Sequence, residues 1–440
     1  MGSVLVAPGA ATGNAPGAMV STTNGLRLAL LAMPLIGATF LSKFAIPPFG
    51  AQGIGISLFV LLAVVIASVV GGAMRAEPRR MALYFMLIGS LGLVQILQPE
   101  SFSPLSLLLL VAVHLPYAVT VPHSDDGGRI ITLFIGIATV LAVLGIAQYG
   151  LQFFVDPRLL FPIENFTPDT FIVQHFNHQA AIEYGSHEYR ANGVFMVEPS
   201  VFGQLLAVAI IAELCTRGRI TRLALFGLAL VAANSGTGIM VLAVCLPLCL
   251  VAQRRWGLLL AGTLAVVAII ALHEYFHPVR ILSRIAEFGS AHSSGYSRFV
   301  GGFYLFDQFL WHDPWRALFG YGAGAFTSYA GRGHYGADEM ALFKIVLEFG
   351  LVGAAVYFGF LFCCLFYSPA PRFLTLAVAL TYFLNGIYTP FAHGMALTLL
   401  LWTPGRDQAE RGLWLGHWSL RNTTVTPVAA LPASHAGSHA

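Results

Sequence analysis

The sequence is short of charge. Only 10% of its 440 residues are Asp, Glu, Lys or Arg, against roughly 25% in an ordinary soluble protein. Hydrophobic residues make up 57% of the chain, and the mean hydropathy is +0.75. The net charge of +3 is too small to predict nucleic acid binding. This composition argues against a soluble globular class and is typical of a polytopic membrane protein.

Cysteine is scarce as well, and no histidine stands at metal-ligand spacing from the five that are present. All five lie in or beside apolar runs, which predicts packing rather than a metal site: Cys215, Cys245, Cys249, Cys363 and Cys364. The start of the chain lacks the basic residues of a cleavable signal peptide. We interpret residues 1–25 as a flexible cytoplasmic tail.

Long apolar runs are what the chain has in abundance. They are continuous rather than alternating, which favours helices over a barrel, because backbone groups in lipid must be satisfied internally. Most of them fall within the range of about 17 to 25 residues that crosses a bilayer. The sequence therefore predicts an all-α polytopic membrane protein with about twelve transmembrane helices within residues 26–403. The runs are approximately 26–42, 52–73, 81–97, 105–121, 130–155, 198–215, 221–233, 238–252, 256–272, 341–367, 373–388 and 391–402.

Basic residues in the short connections predict the orientation. Nearly all of them fall on one side of the membrane if both ends of the chain are cytoplasmic, Lys43 being the exception. Two long polar intervals then face the opposite side as large periplasmic loops: residues 156–197, here the first interval, and residues 273–340, the second interval. Residues 404–440 form a polar cytoplasmic tail with too little apolar surface to pack. This arrangement predicts a multi-pass protein of a bacterial inner membrane with its site facing the periplasm.

The first interval runs into YRANGVFMVEPS, which carries Arg190 and Glu198. Pro199 is a good first residue for a helix, since its missing N–H costs nothing there. Glu198 would then lie at the helix N-terminus near the membrane boundary. One interpretation is that it only complements the helix dipole. The other is that an ionisable group facing the interior of a bundle serves function.

Arginine is the side chain best suited to a pyrophosphate, because its planar fork donates bidentately and keeps its charge. Arg190 lies in the first interval, and Arg298 lies in the second, in a stretch with helical apolar spacing. The alternative is that these arginines extend to lipid headgroups. We favour that alternative for Arg280, Arg284 and Arg316.

The rest of the second interval adds a glycine-rich turn and a histidine. The turn, residues 320–324, follows Asp313-Pro314. With no strand before it, it does not imply a dinucleotide-binding fold. His334 is a residue type suited to proton transfer near neutral pH, although a lone histidine in a loop is more often structural. Asp338 and Glu339 stand just before the next apolar run.

Several motifs occur in a fixed order. An Arg-x-x-Gly-x-Phe-x-x-Glu-Pro-Ser stretch is followed by a Ser-Gly pair with a further Gly, then by Arg298, a Leu-Phe-Gly-x-Gly-x-Gly turn, and Asp-Glu ahead of Leu-Glu-Phe-Gly-Leu-Val-Gly. Their key positions are Arg190, Gly193, Phe195, Glu198, Pro199, Ser200, Ser235, Gly236, Gly238, Leu318, Phe319, Gly320, Gly322, Gly324, Asp338, Glu339 and residues 347–353. Over residues 81–400 the chain resembles the superfamily of O-antigen polymerases and O-antigen ligases, membrane glycosyltransferases of the bacterial cell envelope.

The resemblance implies a GT-C-like helical fold, an undecaprenyl-diphosphate-linked glycan as donor and another as acceptor, and inverting transfer without a metal or cofactor. It implies that Arg190 and Arg298 stabilise the leaving diphosphate, while Glu198 or His334 takes the acceptor proton. The substrate-binding candidates are Arg190, Arg298, Tyr321, Arg332, Asp338 and Glu339. The expected partners are these lipid-linked glycans and membrane lipids, together with a chain-length regulator or a flippase.

Three activities stay open. The Glu-Pro-Ser form resembles polymerases of exopolysaccharide, O-antigen or capsule glycans. The ligase branch, which transfers the glycan to lipid A-core, has a His-Asn pair where this chain has His334-Tyr335. The third activity is transport of a polysaccharide or lipid-linked glycan. Against transport, neither half of the chain repeats the other, whereas transporters often have two matching halves.

Overall fold

The computed structural model describes residues 17–47, 49, 53–98, 102–121, 127–182, 186–271, 289, 293–333, 336–368 and 370–402. The described part is mostly helical, which confirms the all-α class. Each of the twelve apolar runs coincides with a helical segment, because a continuous apolar run in lipid satisfies its backbone only as a helix. Most of each predicted tail, residues 1–16 and 404–440, lies outside the described residues.

The helices up to residue 271 follow the apolar runs closely. They are α1 (Gly17–Phe40), α2 (Ile56–Val70), α3 (Pro78–Leu97), α4 (Pro104–His114), α5 (Gly127–Leu151), α6 (Pro157–Leu160), α7 (Pro162–Phe166), α8 (Pro199–Cys215), α9 (Ile220–Ala233), α10 (Gly236–Ala252) and α11 (Trp256–Ala271). Short 3₁₀ turns cover Leu115–Ala118 and Asp169–Phe171. Helix α1 begins inside the segment that we interpreted as a tail.

The described part of the second interval is also helical. It forms α12 (Ser294–Phe299), α13 (Gly301–Leu305), a π-helical turn (Phe306–Leu310), α14 (Pro314–Phe319) and α15 (Ala325–Ala330). The last apolar runs form α16 (Ala341–Phe366), α17 (Arg372–Phe383), α18 (Pro390–Met395) and a π-helical turn (Ala396–Leu401). The helical apolar spacing around Arg298 thus corresponds to three consecutive helical pieces rather than one helix.

Local sequence determines where many of these helices begin. Proline occupies the first turn of α3, α4, α6, α7, α8, α14 and α18, where its fixed φ suits the helix and no N–H is lost. Side chains cap several of the same ends. Ser103 accepts from the Ser106 amide at 3.2 Å, and Asp313 accepts from the Trp315 amide at 2.9 Å. The helix starts can therefore be identified in the sequence.

Within the described residues, three helices are long and apolar enough to cross a membrane: α3, α5 and α16. Shorter apolar helices cover Arg27–Phe40, Ile56–Val70, Pro104–Ala118, Pro199–Cys215, Ile220–Ala233, Gly236–Ala252, Arg372–Phe383 and Pro390–Leu401. That all twelve helical segments span the membrane stays a prediction.

Helix α8 lies at the centre of the bundle. Every residue from Val201 to Leu214 is buried, and the helix packs against α5, α9, α10 and α17. A helix that is apolar all round must be covered on all sides. Its N-terminus carries Glu198, so this residue is held by the most enclosed element of the described structure.

Contacts between connections sort them into two groups. In one group, Val173 of the first interval donates to the Lys43 carbonyl at 2.9 Å, and Ser103, between α3 and α4, donates to Ala323 of the second interval at 2.9 Å. In the other group, β1 (Arg75–Ala76) follows α2 and pairs antiparallel with β2 (Val119–Thr120), which follows α4. Connections that we predicted to share a side therefore contact each other.

Candidate active site

Arg298 lies between two carboxylates from distant parts of the chain. Its Nη2 donates to Glu198 Oε1 at 2.8 Å, and its Nε donates to Asp338 Oδ2 at 3.0 Å. Glu198 directly follows the first interval, whereas Arg298 and Asp338 belong to the second. The structure thus brings three of the predicted site residues together where the two intervals meet.

Glu198 occupies the N-cap position of α8, yet its side chain makes no capping hydrogen bond. Its Oε1 accepts from both Arg298 and the Ser200 hydroxyl, and the residue is only 7% exposed. Its side chain is turned from the helix amides toward the arginine, so it does not cap the helix that it begins. Oε2 accepts no hydrogen bond from a described residue.

Backbone contacts hold Arg298 in this position. Ser293 caps α12 by accepting from the Tyr296 amide at 3.1 Å. The Asp338 amide donates to the Ser297 carbonyl at 2.9 Å. A backbone hydrogen bond therefore joins Ser297, the residue before Arg298, to Asp338. This bond keeps the backbones of Arg298 and Asp338 close together, so their side chains can pair.

The charge of Arg298 is well supported. Burial lowers the pKa of Arg298, but Glu198 and Asp338 more than offset this, so that its pKa is raised above the ordinary value. Nη1 donates to no described residue, and the side chain is 23% exposed. The guanidinium can therefore keep both carboxylates and still present one terminal nitrogen to a ligand anion.

A second charged cluster adjoins the first through the neighbouring residues Asp338 and Glu339. Lys344 in α16 donates to Glu339 and, at 2.8 Å, to Glu348 Oε1. Lys344 and Glu348 are 2% and 1% exposed. Our sequence reasoning did not single out Lys344. The signal was present, because two ionisable residues four positions apart in an apolar run lie on one helix face.

The glycine-rich turn packs against a kink in α16. Gly350 has φ +65°, and a Cβ on it would lie 2.3 Å from the Leu318 carbonyl carbon; a Cβ on Gly320 would lie 2.5 Å from that of Glu348. The turn amides of Tyr321 and Gly322 donate to Leu347 and Glu348 at 3.0 and 2.8 Å. The two backbones touch because neither glycine has a side chain, and the turn satisfies carbonyl groups at the kink.

Arg190 has its own surroundings. Its Nη2 donates to the Ile182 carbonyl at 2.9 Å, and its amide donates to Ala180 at 2.9 Å. Its Nε is buried with no partner among the described residues. These hydrogen bonds stay within the first interval, and none of them joins Arg190 to Arg298 or Glu198. Its role at the diphosphate stays a prediction.

Two further predicted residues, Tyr321 and Arg332, contact the same tyrosine of the second interval. Tyr321 packs on Tyr329 with ring centroids 4.3 Å apart, and the exposed Arg332 lies 5.6 Å from the centre of the same ring. These contacts place Tyr321, Tyr329 and Arg332 in one aromatic group. His334 lies outside the described residues.

A buried polar network supports the end of the first interval. Lys43, from the α1–α2 connection, donates to Glu164 and to the Val194 carbonyl. Asn192 accepts from Gln148 at 3.1 Å and from the Val194 amide at 3.0 Å. Burial lowers the pKa of Lys43 to about 8, with Glu164 limiting the change. In the sequence, Lys43 is the exception to the orientation rule, and a lysine on that side is a signal for such a buried partner.

Among the described residues, no group of three or more His, Cys, Asp or Glu side chains is placed to hold a metal ion. The described site has a cation, Arg298, held between two carboxylates, and a carboxylate is a residue type that serves as a general base.

One comparison with known proteins gives a match. The family model for WcaD colanic acid polymerase matches residues 121–367, more than half of the 440 residues. The matched range contains Glu198, Arg298 and Asp338. No curated protein and no solved structure has significant similarity to the chain.

Proposed function

Since the chain belongs to the WcaD colanic acid polymerase family, we propose that it is a glycosyltransferase that joins lipid-linked oligosaccharide repeat units into exopolysaccharide or O-antigen chains. The observation that carries this proposal is the convergence of Glu198, Arg298 and Asp338 at the N-terminus of the central helix. The match to a polymerase family favours polymerisation over ligation to lipid A-core and over transport.

The donor is a glycan on undecaprenyl diphosphate, and Arg298 binds its diphosphate. The leaving diphosphate gains negative charge as the bond to the sugar breaks, and a fixed donor stabilises that charge most in the transition state. Two carboxylates already orient the guanidinium through Nε and Nη2. The uncommitted Nη1 is the group that reaches the phosphate oxygens. Arg190 contributes a second positive charge from the first interval.

The acceptor is the non-reducing end of a second lipid-linked repeat unit. Its hydroxyl oxygen attacks the anomeric carbon of the donor, the bond from that carbon to the diphosphate oxygen breaks, and the electron pair leaves with the diphosphate. Glu198 takes the hydroxyl proton through Oε2, with Oε1 held by Arg298 and Ser200. A single displacement of this kind inverts the anomeric centre. Asp338 and Glu339, both partly exposed, bind sugar hydroxyl groups.

His334 is the second candidate for the base. It precedes Asp338 by four residues, and a histidine changes charge near neutral pH. Glu198→Gln distinguishes the two. If Glu198 is the base, this variant loses the reaction while His334→Gln keeps it.

The reaction takes place at the periplasmic face of the inner membrane. Two observations support this location. The first is the distribution of Lys and Arg along the chain. The second is that the α1–α2 connection contacts the first interval and the α3–α4 connection contacts the second interval. A site at the end of a helical bundle admits a lipid tail sideways between helices. A chain-length regulator and a flippase are the partners that such a polymerase needs.

The test is the glycan profile of a cell that lacks the gene, complemented with wild type, Arg298→Ala, Arg190→Ala or Glu198→Gln. Arg158→Ala is the matched control, because Arg158 is an exposed arginine of the first interval. We expect long chains with wild type and the control, and single repeat units with the three site variants. Long chains that accumulate on undecaprenyl diphosphate in the null cell would instead identify a ligase.

A further inference from the structure

His178, in the first interval, contacts a backbone carbonyl through each of its ring nitrogens. Nδ1 lies 2.7 Å from the Val197 oxygen, and Nε2 lies 2.7 Å from the Val173 oxygen. A carbonyl oxygen accepts hydrogen bonds but never donates them, and a neutral imidazole has a single N–H. Both contacts are hydrogen bonds only when the ring carries two protons and a positive charge.

The two carbonyl groups belong to parts of the chain that matter for the site. Val197 directly precedes Glu198, so its carbonyl forms the peptide bond that leads into the proposed base. Val173 donates its own amide to the Lys43 carbonyl at 2.9 Å. His178 therefore links the stretch beside the α1–α2 connection to the residue before Glu198.

The backbone between Asn192 and Glu198 needs such external support. Val194 has φ +69°, a conformation that a β-branched residue adopts only when its surroundings impose it. Side chains from elsewhere hold successive carbonyl groups: Lys43 binds that of Val194, and Ser42 Oγ donates to that of Phe195 at 2.6 Å. His178 holds the last carbonyl before the helix.

The charged groups around His178 come from each neighbouring element. Glu198, at the start of α8, is the residue after Val197, and Glu164 of α7 shares Asn192 Nδ2 with the His178 carbonyl, at 3.4 Å from Glu164 Oε1 and 2.8 Å from that carbonyl. Lys43 of the α1–α2 connection is paired with Glu164. His175 lies on the same stretch as His178.

We propose that His178 is a positioning residue for the transfer reaction and acts as an imidazolium that donates to Val173 and Val197 at once. It holds the peptide group before Glu198 and so aligns the proposed base. This inference rests on the proposed polymerase activity. Loss of one ring proton releases one carbonyl, and the reaction slows because Glu198 is less well placed.

The test compares polymerisation rates between pH 5.5 and 8.5 for purified protein in lipid nanodiscs with lipid-linked repeat units. The variants are His178→Gln, His178→Arg and the control His187→Gln, an exposed histidine of the same interval. A ratio of rates cancels the titration of the base, which all the proteins share. We expect the ratio of wild type to His178→Gln to fall from about tenfold at the acid end toward one at the alkaline end, because a ring with a single N–H holds only one of the two carbonyl groups. The control follows wild type throughout.

His178→Arg has a permanent charge and several donors, so its rate relative to wild type should rise with pH. A change in kcat with little change in KM separates positioning from substrate binding. If the ratio of wild type to His178→Gln does not change with pH, the inference is wrong. If wild type forms no chains at any pH, the proposed function itself fails.

A second readout does not depend on activity. Nitrogen NMR of labelled histidine rings distinguishes a ring with two N–H groups from a neutral ring, and the spectrum of His178→Gln assigns the signal. We expect His178 to carry both protons at pH 6 in the folded protein. A neutral ring at that pH would overturn the inference even if His178→Arg failed to fold.

Discussion

Replacement of Arg298 by lysine is the sharpest test of the candidate site. Lysine keeps the positive charge but has one nitrogen, which cannot bridge Glu198 and Asp338 and also reach a phosphate. Removal of one donor to a charge that develops in a transition state typically slows a reaction by about 10²–10³-fold. We therefore expect kcat of Arg298→Lys to fall roughly a hundredfold, with a smaller change in KM.

The expected effect on stability is smaller for lysine than for alanine. Alanine leaves the carboxylate of Glu198 buried and unpaired, and removing one partner of a buried ion pair costs about 3–5 kcal/mol. The Arg298 side chain is 23% exposed, so we place the cost near the lower end. The Asp338 side chain is 45% exposed, so its pair adds at most about 1 kcal/mol. Lysine should retain most of this stabilisation.

The assay measures chain formation on lipid-linked repeat units by protein in nanodiscs, with thermal unfolding recorded in parallel. Arg158→Lys is the control, since Arg158 is an exposed arginine of the first interval. An Arg298→Lys variant with more than about a third of the wild-type kcat would refute the role that we assign to Arg298, in which two nitrogens hold carboxylates and a third reaches the phosphate. Equal losses of stability in the lysine and alanine variants would refute the charge argument.

Two further predictions concern stability. Gly350→Ala should lower the free energy of unfolding by more than about 1 kcal/mol, because the new Cβ meets the Leu318 backbone at a positive φ; Gly359→Ala in the same helix, with open space around it, should have little effect in thermal unfolding. For Lys43, burial lowers the pKa to about 8 from 10.5. Between pH 8 and 10.5 the unfolded chain therefore binds more protons than the folded protein. The contribution of Lys43 to the free energy of unfolding rises with pH across this range, by up to about 3 kcal/mol. Lys43→Met should lack this rise in unfolding measured at pH 8 and 10, and an identical pH dependence in both proteins would contradict the assignment.

The helices and their starts were accessible from sequence because their causes are local. An apolar run long enough to cross lipid satisfies its own backbone only as a helix. Proline in the first turn and a Ser or Asp cap mark where several helices begin, as at Ser103 and Asp313. The spacing around Arg298 indicated helix but not its division into α12, α13 and a π-helical turn. That division occurs where the chain packs closely against other parts of the protein. A Cβ on Gly301 would lie 2.2 Å from the Gly336 oxygen, and a Cβ on Gly302 would lie 2.2 Å from the Phe343 ring.

The candidate site was only partly accessible. The sequence predicted Glu198, Arg298 and Asp338 as site residues, and the structure brings these three together. The sequence also predicted Arg190 and Tyr321, but their described contacts are with Ile182 and Tyr329. Residue type predicts what a side chain can bind. Which side chains meet depends on the path of two long intervals, and no periodicity in the sequence encodes that path.

By itself, the sequence determined that this protein is helical, that it is apolar enough for a membrane, and that its polar chemistry is concentrated in two intervals. Those properties follow from composition and from interactions between residues close along the chain. Only the tertiary structure decided that Glu198 turns from its helix end toward Arg298, that Gly320 and Gly350 let two backbones touch, and that both nitrogens of His178 meet carbonyl groups. Each of these contacts joins residues far apart in the chain or depends on a backbone position set from outside, and packing of the whole bundle is what brings them within reach.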